Sequence, residues 1–208
     1  MKRTLRLLLV LGILVPTLLL SGCLLNIFQT AHTIGAGNVG LAIGTGLFDL
    51  AVGDDGGWFL TPQARLTIGL TDGIDIGLHS GLLVGLEGGE PGWIGVLGDL
   101  KFALFDDAES FSMAMGFGGG YSVEALGACA FGEIFLDSNI RVLPVFFVYQ
   151  PQVTLTEAFA VSHHGTAGLK LRLSPNARLL LQVDYRYSPG LTELFPLLSY
   201  GLALEITF

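Results

Sequence analysis

Leu60-Thr61-Pro62-Gln63-Ala64-Arg65-Leu66-Thr67-Ile68-Gly69-Leu70-Thr71 alternates almost residue by residue. Leu60, Ala64, Leu66, Ile68 and Leu70 share one parity, while Thr61, Gln63, Arg65 and Thr67 share the other. Successive side chains of a β-strand point to opposite faces, so the stretch reads as a strand with one apolar and one polar face. The segments that follow repeat the pattern. In Ile74 to Glu87, Ile76, Leu78, Leu82, Val84 and Leu86 oppose Asp75, Gly77, His79, Gly85 and Glu87. In Ile94 to Asp106, Val96, Leu100, Phe102 and Leu104 oppose Asp99 and Lys101. Phe111 to Val123 sets Met113, Met115, Phe117 and Tyr121 against Ser112, Ala114 and three glycines. Leu179, Leu181, Val183, Tyr185 and Tyr187 oppose Arg178, Gln182, Asp184 and Arg186.

The charges decide which face meets solvent. Charged residues make up 13% of the chain, against about 25% in soluble domains. Every basic residue beyond the N-terminal segment, namely Arg65, Lys101, Arg141, Lys170, Arg172, Arg178 and Arg186, falls on the polar parity of its strand, and none lies in a turn. A soluble protein scatters Lys and Arg over its loops. Confinement to one face is expected where the outside solvent is lipid, since an Arg facing lipid at the bilayer midplane costs about 2 to 4 kcal/mol. The same inward parity carries Asp75, Glu87, Asp99, Glu133, Asp184 and Glu205, and such near-balanced signs predict a cross-linked polar interior over a selective ring of one charge. The fold class is therefore all-β: a closed antiparallel transmembrane up-and-down β-barrel.

Turn chemistry sets the strand number. Thr71-Asp72-Gly73, Asp106-Asp107-Ala108-Glu109, Asp137-Ser138-Asn139 and Ser174-Pro175-Asn176 carry the residues that tight turns demand. Looser connections at 53–57, 88–92, 124–127, 150–157 and 188–193 alternate with them. From near Asn38 to Phe208 this gives about ten strands, with eight and twelve as alternatives, and with both ends on the tight-turn side, which is periplasmic in barrels of the outer membrane. Two strands fit less well. Pro144 falls within Ile140 to Tyr149 and removes a ladder donor, which predicts a bulge or a later start. Ala128 to Asp137 turns Phe131 and Phe135 inward.

The two chain ends carry the family resemblances. Lys2, Arg3 and Arg6 precede an apolar stretch, Leu7 to Leu20, shorter than the roughly 20 residues a membrane helix needs, and Leu20-Ser21-Gly22-Cys23 closes it. This run resembles the lipobox of bacterial lipoprotein signal peptides, which implies cleavage before Cys23 and acylation of Cys23; the absence of Asp after the cysteine implies export onward. Tyr200, Leu202, Leu204, Ile206 and Phe208 resemble the closing strand that the barrel-assembly machinery recognises in bacterial outer-membrane β-barrels. The resulting organisation is a leader over 1–22, a lipidated periplasmic tether over 23–37 and a barrel over 38–208. The expected location is the bacterial outer membrane, with the lipid anchor on the periplasmic side. The tether segment lacks alternation, and entry into the barrel mouth as a small plug is its alternative. The expected partners are outer-membrane lipid, the barrel-assembly and lipoprotein-export machinery, and a possible small solute.

Catalytic and metal chemistry find little support. His163 and His164 are adjacent on a strand and point to opposite faces, so they do not serve one ligand. His164-Gly165-Thr166 is similar to the His-x-Ser element of outer-membrane lipid A deacylases, but Thr stands in place of Ser and the pair falls on the lumen parity. The acids at Asp54, Asp55 and Glu90 lack the neighbouring His of omptin-type proteases. Cys129 has no ligand companion, and no metal or cofactor motif is present. The 18 acids outnumber by eleven the seven bases left once the leader is cleaved, which argues against nucleic-acid binding. The expectation is a non-catalytic, lipid-anchored barrel with a polar, largely occluded lumen and a structural, surface-interaction or small-ligand role. A narrow pore and a lipid-modifying enzyme are the alternatives.

Overall fold

The computed structural model describes residues 28–50, 57–88, 90–107, 110–122, 127–138, 140, 144–154, 160–187 and 197–208. Ten strands run in chain order: β1 (Val39–Leu50), β2 (Gly57–Thr71), β3 (Ile74–Gly85), β4 (Gly92–Asp106), β5 (Phe111–Ser122), β6 (Gly127–Ser138), β7 (Val145–Thr154), β8 (Ala160–Ser174), β9 (Ala177–Tyr187) and β10 (Leu197–Thr207). Each pairs antiparallel with the next, and β1 pairs with β10 to close the barrel. Closure runs from Gly40 opposite Thr207 to Phe48 opposite Ser199. It extends to the last residue, where Phe208 and Val39 exchange backbone hydrogen bonds of 2.8 and 3.2 Å. A closed ladder leaves no unpaired edge, the condition for placing backbone in hydrocarbon.

The barrel is inside-out relative to a soluble protein. In β2, Arg65 is 4% exposed and Leu70 is 53% exposed, and among the described residues the buried polar and charged side chains outnumber the buried apolar ones. All seven Trp and Tyr residues, Trp58, Trp93, Tyr121, Tyr149, Tyr185, Tyr187 and Tyr200, lie exposed on the outer face, most of them toward the loop ends of their strands. Trp93 stacks on Tyr121 at 5.9 Å and donates to Ser80 Oγ at 3.2 Å. Amphipathic rings in a belt at one end are the girdle expected where hydrocarbon gives way to headgroups.

Two prolines sit inside strands because each aligns its missing donor with a break in one ladder. Pro62 opposes Thr45 of β1, while the β2–β3 register passes from Leu60 to Gln63 without pairing it. Pro151 opposes His163 of β8, while the β6–β7 register skips from Phe131 to Ile134. β7 thus starts after Pro144 and continues to Thr154, so the connection expected from Gln150 is shorter than its sequence indicates. A bulge between Ala103 and Phe105 turns both Leu104 and Phe105 outward. Glycines open the interior where it is crowded: a Cβ on Gly77 would run into the Arg65 guanidinium, and one on Gly118 would come 2.5 Å from the Phe131 ring.

Candidate functional site

The lumen is the candidate site, and the segment ahead of β1 fills its turn-side half. Residues 28–37 do not hang free as a tether. They enter the barrel as a strap, with Phe28, Gln29, Thr30 and Ala31 buried. Gly35 and Gly37, with φ of 82° and 77°, adopt the left-handed conformation that glycine takes readily. They turn the chain from the lumen into the wall, where Gly37 donates to Gly69 O at 2.9 Å. Further in, the Phe28 ring occupies the space that a side chain on Gly44 would need.

Charged groups of the wall hold the strap. Lys101 Nζ pairs with Asp75 Oδ2 at 3.1 Å and donates to two strap carbonyls, Thr30 O at 3.3 Å and His32 O at 2.5 Å. Asp75 in turn accepts from Ile34 N–H at 3.2 Å. Asp72, in the β2–β3 turn, accepts from Ala36 N–H at 3.2 Å. Lys170 Nζ pairs with Asp137 at 2.7 Å and lies 3.1 Å from His32 Nε2. An ammonium can only donate, so Nε2 accepts. The His32 proton then sits on Nδ1, 3.0 Å from Asp106 Oδ1. Burial, followed by the charges of Lys170 and Arg178, pushes His32 below its ordinary pKa of 6.5, against the pull of Asp106 and Asp137. The seated imidazole is neutral.

Two apolar clusters complete the fill, and parity reasoning on charges alone does not reveal them. One joins Phe28 and Ala31 of the strap to Phe135, Phe146, Val148 and Leu180. The other, toward the loop end, gathers Phe48, Ile94, Leu97, Cys129 and Phe131, with Phe59 stacked on Phe48 at 5.5 Å. Between the two clusters Arg65 and Asp99 form a bidentate pair at 2.7 and 2.8 Å, the strongest geometry available to a guanidinium. His79 Nε2 meets Gln63 Oε1 at 2.9 Å, and Glu133 is buried with no hydrogen-bond partner for Oε2 among the described residues.

On the β7–β10 side of the loop end the lumen is polar. Thr166 donates to Asp184 at 2.5 Å, Gln182 Nε2 donates to the same carboxylate at 2.9 and 3.0 Å, and His164 Nε2 lies 3.4 Å from it. Arg186 Nε points at His164 Nε2 at 3.4 Å. Arg186 Nη1, Ser199 Oγ and Gln182 Oε1 are buried without a hydrogen-bond partner among the described residues. The Thr166 hydroxyl spends its proton on Asp184, not on His164, so the cluster lacks the nucleophile-to-base hydrogen bond of an activated hydroxyl.

The remaining predicted residues are distributed as follows. Glu205 is half-buried, with no hydrogen-bond partner for Oε2 among the described residues, and Arg178, opposite it in the register, is half-buried. Arg172 is exposed at the turn end of β8. Glu87 is not in the lumen: it lies exposed beyond the end of β3, because the strand stops at Gly85. Tyr200, Leu202, Leu204 and Phe208 are exposed on the outer face, with Ile206 half-buried. Cys23 and Arg141 lie outside the described residues. His163 and His164 point to opposite faces, His164 inward and His163 outward. The residues that charge parity missed are His32 and Asp137. The second shares its parity with Glu133 and Phe135 and was legible as an inward position, although its neighbours read as a turn. Among the described residues no group of three or more His, Cys, Asp or Glu is arranged to hold a metal ion.

No family model matches the chain, and no curated protein matches it. Among solved structures it is similar to the N-terminal β-barrel domain of Pseudomonas aeruginosa OprF, at 13% identity and a TM-score of 0.38, covering 84% of this chain and 99% of that one. It is similar to Neisserial surface protein A at 8% identity and a TM-score of 0.40, covering 82% and 97%. It is also similar to the outer membrane protease OmpT from Escherichia coli at 11% identity and a TM-score of 0.38, covering 82% and 96%.

Proposed function

We propose that this chain is a lipid-anchored integral barrel of the bacterial outer membrane whose lumen is closed, and that it acts as a structural or surface-interaction element, neither an open pore nor a catalyst. The observation that carries this reading is the seated strap. Two obstructions stand in series along the lumen, the strap with its apolar cluster and the loop-end aromatic cluster, and the Arg65–Asp99 pair lies between them. An apolar exterior with its aromatic belt supports a lipid environment. The closing-strand residues, from Tyr200 to Phe208, supply the outward alternation that barrel assembly is expected to read. For the anchor, the Leu20-Ser21-Gly22-Cys23 run supports acylation of Cys23, with four residues between it and the strap's Phe28.

Planar-bilayer recording of the reconstituted full chain tests the closed lumen. The expected result is no unitary conductance, and steady single-channel steps with ion preference would overturn it in favour of the pore. For the enzymatic reading, the burial of His164, Thr166 and Asp184 inside the lumen keeps them from lipid. Lipid A acyl chains should therefore remain intact on expression; their loss, abolished by His164→Ala, would contradict the non-catalytic assignment.

A further inference from the structure

The outer wall holds a polar aromatic cluster seated directly above an apolar groove, and neither belongs to the sealed lumen. Tyr149 and His163 meet at 2.7 Å through the phenol and Nδ1, with their rings stacked 6.0 Å apart at 11°. Tyr187 covers His163 from the other side at 6.2 Å. Assigning the phenol as donor and Nδ1 as acceptor puts the proton of the neutral imidazole on Nε2. That N–H has no partner among the described residues. Below it on β8 the next outward positions are Gly165 and Ala167, and the missing side chain at Gly165 leaves a groove of about 440 Å³ between Ile134, Phe147, Tyr149, Val183 and Tyr185. The hollow is not required by packing, because a Cβ on Gly165 would meet only Tyr185 O, at 4.0 Å.

We propose that this is a binding site for one phosphate-bearing membrane lipid, with an acyl chain in the Gly165 groove and a phosphate oxygen accepting from His163 Nε2–H. The proposal rests on the reading of the barrel as lipid-bathed. Its polarity matches that of a leaflet: His163 lies three residues from the loop end of β8, at the level of the aromatic belt, and the groove descends from it toward the middle of the strand. A donor at headgroup depth with a chain-sized hollow beneath it complements a phospholipid or a phosphorylated glycolipid. A second outer groove, of about 500 Å³ over Gly98, provides the contrast. The polar atoms near its loop end, Trp93 Nε1 and Ser80 Oγ, are bonded to each other and to Gly95 O, so it offers hydrocarbon contact alone.

The full chain, purified in mild detergent and offered phosphatidylglycerol, lipid A or a diacylglycerol of matched acyl chains, is examined by native mass spectrometry. The expected result is retention of one phosphatidylglycerol or one lipid A, the better retained of the two identifying the physiological class, and at least tenfold weaker retention of diacylglycerol. His163→Ala and Gly165→Leu should each lower retention at least tenfold, His163→Gln should keep most of it, and Gly98→Leu should leave it unchanged. Equal retention across these variants, or none in a protein that still shows heat-modifiable barrel migration, overturns the site while leaving the barrel reading intact. A chain that folds in buffer without detergent overturns both.

Discussion

Replacing Lys101 with Met tests whether the strap is a seated element or an incidental filling. The side chain keeps its volume and loses the ammonium that pairs with Asp75 and binds the carbonyls of Thr30 and His32. Removing one partner of a buried ion pair costs about 3 to 5 kcal/mol, because the remaining charge is left uncompensated. The cost is avoided most simply by releasing the strap and hydrating Asp75. A loss of about 3 kcal/mol in docking corresponds to about a hundredfold rise in the released population. Hydrogen–deuterium exchange reads it directly, since the Ile34, Ala36 and Gly37 amides are bonded to Asp75, Asp72 and Gly69 when the strap is in place. Exchange in residues 28–38 should accelerate about a hundredfold while the strand ladders keep their protection, and pairing Lys101→Met with Asp75→Asn should restore most of it. Unchanged exchange in Lys101→Met, with the barrel folded, would refute the assignment of Lys101 as the clasp.

Acid should loosen the same seat. His32 is held below its ordinary pKa of 6.5, so its docking advantage is complete above pH 6.5 and declines as pH falls below that value toward the lowered one; corrected for intrinsic rates, strap exchange should rise between pH 7.5 and 5.5 and should be flat over that range in His32→Gln. Gly77→Ala should destabilise the barrel by about 1 to 3 kcal/mol through the collision with Arg65, whereas Gly132→Ala, whose added Cβ would meet only Gly116 O at 3.9 Å, should be close to neutral; urea midpoints in lipid vesicles separate them. Leu78→Arg, at an outward position midway along β3, should cost about 2 to 4 kcal/mol of folding free energy in bilayers, and a neutral effect there would contradict a lipid-facing wall.

The polar lumen reflects how charge is handled where water is scarce. Buried ion pairs contribute little net stability against apolar replacements, yet each fixes its partner's position and leaves few alternatives for the strap. Small inward residues make this possible, because Gly77 and Gly118 supply the space that the Arg65–Asp99 pair and Phe131 occupy.

The strand set was legible in the sequence because side-chain direction in a strand has a period of two, and the charged and apolar residues of each strand keep to opposite parities. Arg65, Lys101 and Asp99 announced their inward faces, and Asp72-Gly73 and Pro175-Asn176 announced their turns. Prolines misled at the ends of β7, since a proline is tolerated wherever its missing donor meets a break in one ladder, and alternation cannot show which ladder is broken. Tertiary structure alone decided the contents of the lumen. Parity places a side chain inside but says nothing about its height or its neighbour: Arg65 finds Asp99 across an intervening strand, and Lys170 finds His32 at a separation of 138 residues. Residues 28–37 have no period to read, and their conformation is imposed by fixed charges at Asp72, Asp75, Lys101 and Lys170, which exist as a constellation only once the barrel has closed.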